Sequence, residues 1–208
     1  MTTAADIITA FELQVGDTTE LSSVEELALL NKIYKKICRM LPWEILKKQA
    51  SGTLSTTVPY VSLPSDFIML SANHNYTENT EYAGRPVIFV GANYQPYYVV
   101  SWSDRRQYRS QNNVAYVDIA AMRLYFTVQP TVADTYEFDY CAMPVDLLTS
   151  TAPVFPTDFW YSIIYGMSTD DFIVQLFDKA RSYAAENDAK FNGVIADMKY
   201  WNSGLIQM

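Results

Sequence analysis

The sequence predicts an α+β fold, with helices towards both ends of the chain and about five or six short strands between them. Apolar residues recur with helical spacing in the first 50 residues and again after residue 157, whereas alternation with a period of two dominates between them. The alternation is clearest in residues 114–144, where two runs each place their apolar side chains on one face. These side chains are Leu124, Phe126 and Val128 in the first run, and Tyr136, Phe138 and Tyr140 in the second.

We interpret residues 114–144 as an antiparallel meander. The two runs are joined by residues 129–133, a short link whose proline has no N–H to donate, which predicts a hairpin with a loop longer than the tightest type. Residues 115–119 supply a third strand, and residues 118–122 form the turn into the pair. One face of such a meander is apolar, so another layer of the protein must cover it.

The composition indicates a folded chain with an acidic surface. The 208 residues are 50% hydrophobic, which suffices for a sizeable core in one domain, or in one domain with a helical appendage. A net charge of −8 argues against a protein that grips nucleic acid by its phosphates, although DNA could slide past it. No apolar run approaches the roughly 20 residues of a membrane span, so no membrane contact is predicted.

The two cysteines are interpreted as small buried apolar side chains. Cys38 falls on a predicted helix and Cys141 on a predicted strand, and with His74 as the only histidine they make no metal-binding pattern. Free thiols in a chain without a secretory signal indicate a reducing compartment. Neither a metal nor another cofactor is predicted.

Two helices are predicted at the start of the chain. The first covers residues 3–14 and ends at Gly16, and the second begins with a capping box formed by Ser22 or Ser23 and a glutamate three residues later. The apolar stripe of the second helix lies opposite a basic cluster. The apolar positions are Ile7, Ile8, Phe11 and Val15 in the first helix, and Leu27, Leu30, Tyr34, Ile37 and Leu41 in the second. The basic cluster comprises Lys32, Lys35, Lys36 and Arg39, with Lys47 and Lys48 beyond it.

The middle of the chain is predicted to be strands, after a further turn or two of helix over residues 44–49. Residues 71–84 are polar, contain three asparagines and show no apolar period, which predicts a mobile loop. Residues 103–109 should form a short capped helix. The strand candidates before the meander are residues 54–57, 60–63, 86–91 and 96–101.

Helical spacing returns after Pro156. One apolar helix is expected over residues 158–167, weakened at Gly166, and a longer one from about Asp170 that Gly193 destabilises by about 1 kcal/mol relative to alanine. The last ten residues are unusually apolar for a chain end. Either Trp201 folds back onto the protein's own helices, or the tail after a break at residues 203–204 docks on a partner.

No catalytic constellation is recognisable, so the chain is predicted not to be an enzyme. His74 lies in the polar loop, and the sequence holds no GxSxG, no glycine-rich phosphate loop and no HExxH. Asp170 and Asp171 could be imagined as a magnesium site, but after Ser168 and Thr169 they are better explained as the acidic first turn of a capped helix.

Charge is separated along the first quarter of the chain. Residues 1–31 hold six acidic and no basic side chains, and the basic cluster follows directly. The simplest interpretation of the cluster is a solvated helix face. The alternatives are that it binds an acidic partner protein or makes a light contact with phosphates. Head-to-tail packing of copies could use the charge separation. Candidate contacts with a neighbouring subunit or a tail protein are Lys32, Lys35, Lys36, Arg39, Asn75, Tyr76 and Glu78.

Three packing motifs stand out along the chain. They are Leu41-Pro42-Trp43-Glu44, Leu63-Pro64-Ser65-Asp66-Phe67, and Tyr136-Glu137-Phe138-Asp139-Tyr140 followed by Pro144. With the helices around them they resemble the head-to-tail adaptor, or connector, proteins of tailed bacteriophages, a group that includes the tail tubular A and gatekeeper-like proteins. The resemblance covers nearly the whole chain and is carried by packing motifs rather than by catalytic ones.

The resemblance implies a helical bundle (residues 1–50 and 155–203) joined to a small antiparallel β-sandwich (residues 51–150), with a tail over residues 204–208. It also implies a structural virion protein, made in the host cytoplasm. Copies would form a ring, commonly twelvefold, between the portal and a tail nozzle or hub protein, and viral DNA would pass through the lumen without specific binding. In that family the closing helix and tail commonly face the portal. The expected portal contacts are therefore Tyr200, Trp201, Leu205, Ile206 and Met208.

A second class of function is a monomeric β-sandwich module that binds nucleic acid or carbohydrate. Its support is a group of aromatic residues that could form a stacking platform. These residues are Tyr94, Tyr97, Tyr98 and Trp102. A hydrolase is a third class, for which the sequence offers no motif.

Overall fold

The computed structural model describes residues 3–16, 20–71 and 85–206, without the side chain of Ile206. The chain divides into two compact units, one formed by residues 1–45 with 144–208 and the other by residues 46–143. We call them the helical unit and the sheet unit, after the elements that they contain. The predicted α+β class is therefore confirmed.

The first two helices of the helical unit, α1 (Ala4–Val15) and α2 (Ser23–Cys38), follow the sequence pattern. The chain leaves α1 through Gly16, whose φ of 76° lies in the left-handed region that glycine tolerates best. Ser22 and Glu25 form the predicted capping box at the start of α2. Burial of the apolar stripes holds both helices in place. The stripe residues that are buried are Ile7, Ile8, Phe11 and Val15 in α1, and Leu30, Tyr34 and Ile37 in α2.

The loop after α2 contains the first packing motif, and Trp43 is its centre. The Trp43 side chain is fully buried, and its indole N–H donates to the carbonyl oxygen of Ile37 at 2.8 Å. Its ring packs edge-on against Phe155, with the ring centroids 5.4 Å apart. The motif thus ends α2 by satisfying a carbonyl of its last turn and by burying a large aromatic surface.

The centre of the helical unit is α3 (Tyr161–Ser168), which packs against α1, α2 and α6. Gly166 lies where the neighbouring helices come closest. A Cβ atom at this position would lie 2.6 Å from Cγ2 of Ile33 and 3.2 Å from Cε2 of Phe191. Gly166 is therefore required by packing, where the sequence had suggested only a weakness in the helix.

The long C-terminal helix predicted from Asp170 is wrong, because three helices occupy this stretch: α4 (Asp171–Leu176), α5 (Asp178–Ser182) and α6 (Ala184–Ile206). The backbone between α4 and α5 is extended at Phe177, with φ −111° and ψ 122°. The side chain of Phe177 is buried, so packing outweighs helical continuity at this point.

The helix α6 continues through residues 203–204 to Ile206, so the predicted break there is also wrong. Its buried face has the spacing of an amphipathic helix. The buried side chains are Asn187, Phe191, Ile195, Met198 and Asn202.

The sheet unit contains eight strands among the residues that the structure describes. They are β1 (Lys47–Thr53), β2 (Tyr60–Ser62), β3 (Phe67–Leu70), β4 (Val87–Val90), β5 (Gln95–Val100), β6 (Val114–Asp118), β7 (Arg123–Phe126) and β8 (Thr135–Ala142). Residues 47–49, which the sequence suggested to be helical, thus begin β1. The predicted short helix over 103–109 is a single 3-10 turn at Asp104–Arg106.

All eight strands belong to one curled, hydrogen-bonded sheet in the order β1-β8-β4-β5-β6-β7-β2, and β3 also pairs with β8. Within the described residues the two separate sheets of the predicted β-sandwich are not seen. The sheet is not wholly antiparallel either, because β5 and β6 run parallel. The segment between them, residues 101–113, is the long connection that a parallel pair needs.

The predicted hairpin between β7 and β8 is wrong, although both strands exist. β7 pairs with β2 and β6, whereas β8 pairs with β1, β3 and β4. The predicted faces are confirmed for Leu124, Phe126, Phe138 and Tyr140, which are buried in the core of the sheet unit, whereas Val128 lies beyond β7 and is exposed. Alternation fixes which face of a strand is buried, but it does not fix the neighbouring strand.

In the second packing motif, the side chain of Asp66 connects the loop before β3 to the strands β1 and β8. Its carboxylate accepts hydrogen bonds from Lys48 Nζ at 2.8 Å and from the Tyr140 hydroxyl at 3.0 Å. The bond from Lys48 is the main cause that holds the pKa of Asp66 below its usual value, and the bond to Asp66 in turn raises the pKa of Lys48. Asp66 thus joins the loop before β3 to β1 and β8.

Candidate partner-binding surfaces

The basic cluster on α2 is used largely within the helical unit. Lys32 pairs with Asp170 at 2.6 Å and Lys35 with Asp146 at 2.5 Å. The ammonium of Lys36 lies 5.7 Å from the ring centroid of Phe191. Lys32 and Lys36 are nevertheless exposed, so the cluster is a solvated helix face, as the simplest interpretation expected, with part of its charge paired locally. The other members of the basic set are the exposed Arg39, and Lys47 and Lys48, which pair with Asp139 and Asp66 in the sheet unit.

The acidic residues near the start of the chain are also engaged locally. Asp6 and Glu25 complete the capping boxes of α1 and α2. Glu26 is buried, and the bonds to Ser22 hold the pKa of Glu25 below its usual value. Glu20 and Glu25 are nevertheless exposed, and Asp17 lies outside the described residues.

Part of the predicted contact set lies outside the described residues. This part comprises Asn75, Tyr76 and Glu78, and the loop predicted to be mobile lies outside as well, with His74, except for Ser71. The same holds for Met208 and for the side chain of Ile206.

The end of α6 combines anchored and exposed side chains. Trp201 is half-buried against Phe159, with the ring centroids 5.4 Å apart. The buried Asn202 accepts a hydrogen bond from the Glu44 N–H at 2.8 Å, and its amide contacts the Pro42 carbonyl at 3.5 Å. Trp201 and Asn202 thus fix the end of α6 to the protein's own helical unit.

Exposed apolar side chains lie on both elements that meet at this anchored point, α6 and the loop after α2. Tyr200 is 84% exposed and Leu205 37%, and the loop to which Asn202 is hydrogen-bonded carries exposed apolar residues of its own. We call this set the apolar end. Its members are Met40, Ile45, Tyr200 and Leu205. A rigidly held element with exposed aromatic and aliphatic side chains is typical of a protein-binding surface.

A second candidate surface lies on the solvent face of β2, β7 and β6. Tyr60, Tyr125 and Tyr116 are in register across these strands, with neighbouring ring centroids 5.3 and 5.4 Å apart. Trp102 extends the row, 5.5 Å from Tyr116. The row therefore crosses three strands and continues onto the connection between β5 and β6.

Arginine side chains accompany this aromatic row. The guanidinium of Arg123 lies 4.0 Å from the ring centroid of Tyr60, and that of Arg105 lies 3.7 Å from the ring centroid of Trp102. A groove of about 480 Å³ runs beside the row, and we call it the arginine groove. It is lined by Arg105, Arg106, Arg109, Tyr116, Tyr125 and Gln129, among others. Burial raises the pKa of Tyr116, while Arg105 and Arg109 act in the opposite direction.

Sequence reasoning found only Trp102 of this surface. Of the other residues in the suggested stacking platform, Tyr97 packs edge-on against Phe126 on the core side, and Tyr94 packs edge-on against Phe89. They therefore do not form one platform with Trp102. The signal that could have found the surface was the alternation of Arg123 and Tyr125 on the polar face of β7, close to the arginine-rich stretch after Trp102.

The described residues contain neither a metal site nor a membrane-spanning helix. No group of three or more histidine, cysteine, aspartate or glutamate side chains that could hold a metal ion is found in residues 3–16, 20–71 and 85–206. In the same part of the chain, no helix has the length and apolarity needed to cross a membrane.

Anchored apolar and arginine–aromatic surfaces are typical of proteins that bind other macromolecules. Comparison with known protein families identifies the family to which this chain belongs. The family model described as SU10 adaptor protein matches residues 2–205. The chain therefore belongs to the SU10 adaptor protein family, and it is a structural adaptor protein of a phage and a component of the virion. No curated protein matches the chain.

The resemblance to phage adaptors is thus confirmed at the level of the family. The narrower likeness to tail tubular A and gatekeeper-like proteins stays a prediction. A structural adaptor family is typically non-enzymatic, which agrees with the expected lack of a catalytic role.

Proposed function

We propose that copies of this chain form a ring between the portal and the tail of the virion, and that viral DNA passes through its lumen. Membership of the adaptor family over residues 2–205 is the observation that carries this proposal. An adaptor must bind two different partners and its own copies, and the chain offers separate surfaces for these contacts in its two units.

The apolar end is the portal-facing surface in this proposal. Tyr200 projects from a helix whose last turns are fixed by Trp201 and Asn202, so docking costs little conformational freedom. Exposed aromatic side chains on rigid elements carry much of the energy of protein interfaces. Trp201 would not enter a portal groove itself. It would position Tyr200 and Leu205 through its contact with Phe159.

The net charge of the chain supports a channel through which DNA slides. Each copy carries −8, and a ring multiplies that charge around the lumen. Phosphates are repelled by such a surface, so DNA is not trapped on its way through.

Binding to the purified portal tests the role of the apolar end. A variant with Tyr200→Ser and Leu205→Ser should lose about 2–3 kcal/mol of binding free energy, or roughly 30- to 150-fold in affinity, if both side chains become buried against the portal. The matched control is Tyr183→Ser, because Tyr183 is also exposed and lies just before the same helix. Cosedimentation with portal rings measures the loss.

Equal portal binding by the Tyr200/Leu205 variant and the unaltered protein would remove the apolar end from the portal contact. A truncation after Asn202 provides a second check, since it keeps the hydrogen bonds to Pro42 and Glu44. It should fold and bind the portal more weakly than the unaltered protein, by less than the double variant, because it removes Leu205 and keeps Tyr200.

A further inference from the structure

We propose that the arginine groove of one copy binds an acidic groove in the sheet unit of the next copy, and that this contact joins the copies around the ring. The inference rests on the proposed ring and names the surfaces that would build it. Both surfaces lie in the sheet unit.

The arginine groove holds positive charge that pairs with none of the described carboxylates. None of Arg105, Arg106 and Arg109 forms an ion pair with a carboxylate in the described part of the chain. The two nearest acidic residues in the sequence are engaged locally, since Asp104 accepts from the hydroxyls of Ser101 and Ser103, and Asp118 accepts from the Ala121 N–H. Arg105 contacts Trp102, whereas Arg106 and Arg109 are exposed, so their guanidinium groups are open to the carboxylates of a partner.

The acidic groove lies at β8 and the β4–β5 turn. It has a volume of about 580 Å³, is lined by Glu137, Phe89 and Tyr94, and has Asp134 beside Gly91 at its rim. Neither Asp134 nor Glu137 forms an ion pair with a described side chain. Tyr94 is 61% exposed. Carboxylates together with aromatic faces suit an entering guanidinium, which binds both.

The two grooves lie at different places in the sheet. In the strand order, β4 and β5 separate β8 from β6. A contact between two different surfaces of identical chains is heterologous, and repeating it closes a ring when the rotation allows. A second copy thus supplies the complementary charge and lets the contact repeat.

Nucleic acid fits the arginine groove less well, because the aromatic faces are already covered. The rings of Tyr116 and Tyr125 stack at an interplanar angle of 8°, and guanidinium groups cover Tyr60 and Trp102. Bases need free ring faces to stack on, and the net charge of −8 opposes a contact with phosphates alone. These observations favour carboxylates of a neighbouring copy.

Charge reversal on either side tests the proposal. One variant carries Arg106→Glu and Arg109→Glu, and the other carries Asp134→Lys and Glu137→Lys. In each variant alone, like charges face one another around the ring, so the number of closed rings on purified portal should fall at least tenfold by electron microscopy. An equal mixture of the two variants should restore rings, because every contact in an alternating ring is again between opposite charges.

Controls separate this result from misfolding. A variant with Arg181→Glu and Lys190→Glu makes the same change in net charge as the arginine variant, at exposed positions of the helical unit outside the apolar end, and should form rings normally. Thermal unfolding checks that each variant is folded. Since Glu137 is partly buried, Asp134→Lys alone serves as a milder acidic-groove variant if the double one unfolds.

Three results would overturn the proposal. Normal rings from the arginine variant show that its groove is not in the contact, and failure of the mixture to restore rings shows that the two grooves do not pair. Loss of binding to a fluorescent DNA duplex in the arginine variant, with rings intact, assigns the groove to DNA. No ring from the unaltered protein on portal instead refutes the proposed function itself.

Discussion

Replacement of Gly166 by alanine tests the packing at the centre of the helical unit. In an exposed helix interior, alanine is favoured over glycine by about 1 kcal/mol. At Gly166 the new Cβ would lie 2.6 Å from Ile33 Cγ2, about 1 Å closer than the ~3.5–4.0 Å optimum for two carbon atoms. The β-branched Ile33 is fully packed in the core, so it cannot retreat without strain.

The expected effect combines these two contributions. Overpacking of a core costs about 1–3 kcal/mol, which exceeds or cancels the gain of about 1 kcal/mol in helix propensity. Gly166→Ala should therefore lower the free energy of unfolding by up to about 2 kcal/mol. Gly193→Ala is the matched control, because nothing lies within 4 Å of a Cβ at that position of α6. It should stabilise the protein by about 0.5–1 kcal/mol.

Urea unfolding followed by circular dichroism measures both variants, and the difference between them isolates the packing contribution at about 1–3 kcal/mol. Ile33→Ala should destabilise the Gly166→Ala variant less than it destabilises the unaltered protein, which a double-mutant cycle measures as a favourable coupling energy. Stabilisation of the protein by Gly166→Ala to the same extent as by Gly193→Ala would refute the close approach of α2, α3 and α6.

Two further predictions concern titratable groups. The carboxylate of Asp66 has a pKa below its unfolded value because of Lys48, so its contribution to stability is present above about pH 4 and is lost as the pH falls through the lowered pKa. Asp66→Asn should thus destabilise the protein by about 1 kcal/mol at pH 7 and by less at pH 3. Urea unfolding at the two pH values measures the loss. An equal loss at pH 7 and pH 3 would contradict the ion pair with Lys48. Burial raises the pKa of Cys38 to about 12, and Cys141 is also buried, so a thiol reagent at pH 8 should label neither residue until the protein unfolds. Rapid labelling of the native protein, followed by mass spectrometry, would contradict that burial.

The sequence predicted well those features that depend on neighbours along the chain. The caps of α1 and α2 follow from side chains three residues apart, and the buried faces of β7 and β8 follow from alternation. The family resemblance rested on the packing motifs. In the structure, Trp43 packs against the distant Phe155 in the helical unit, and Asp66 bonds to Lys48 and Tyr140 in the sheet unit.

Features that depend on distant residues were not predicted. Strand alternation could not show that β7 pairs with β2, because the partner is decided by the closure of the whole sheet. The helix break at Phe177 arises because burying its ring outweighs helical propensity. The arginine groove brings together the stretch after Trp102 with β6 and β7, and the parallel pairing of β5 and β6 that places them together has no local signature.

Electron microscopy of purified portal mixed with an excess of this protein measures ring formation most directly. We predict that class averages along the portal axis show an added, closed layer of copies around an open channel. Portals without an added layer at saturating protein, or with single copies attached at irregular positions, would contradict the role of the chain as a ring between portal and tail.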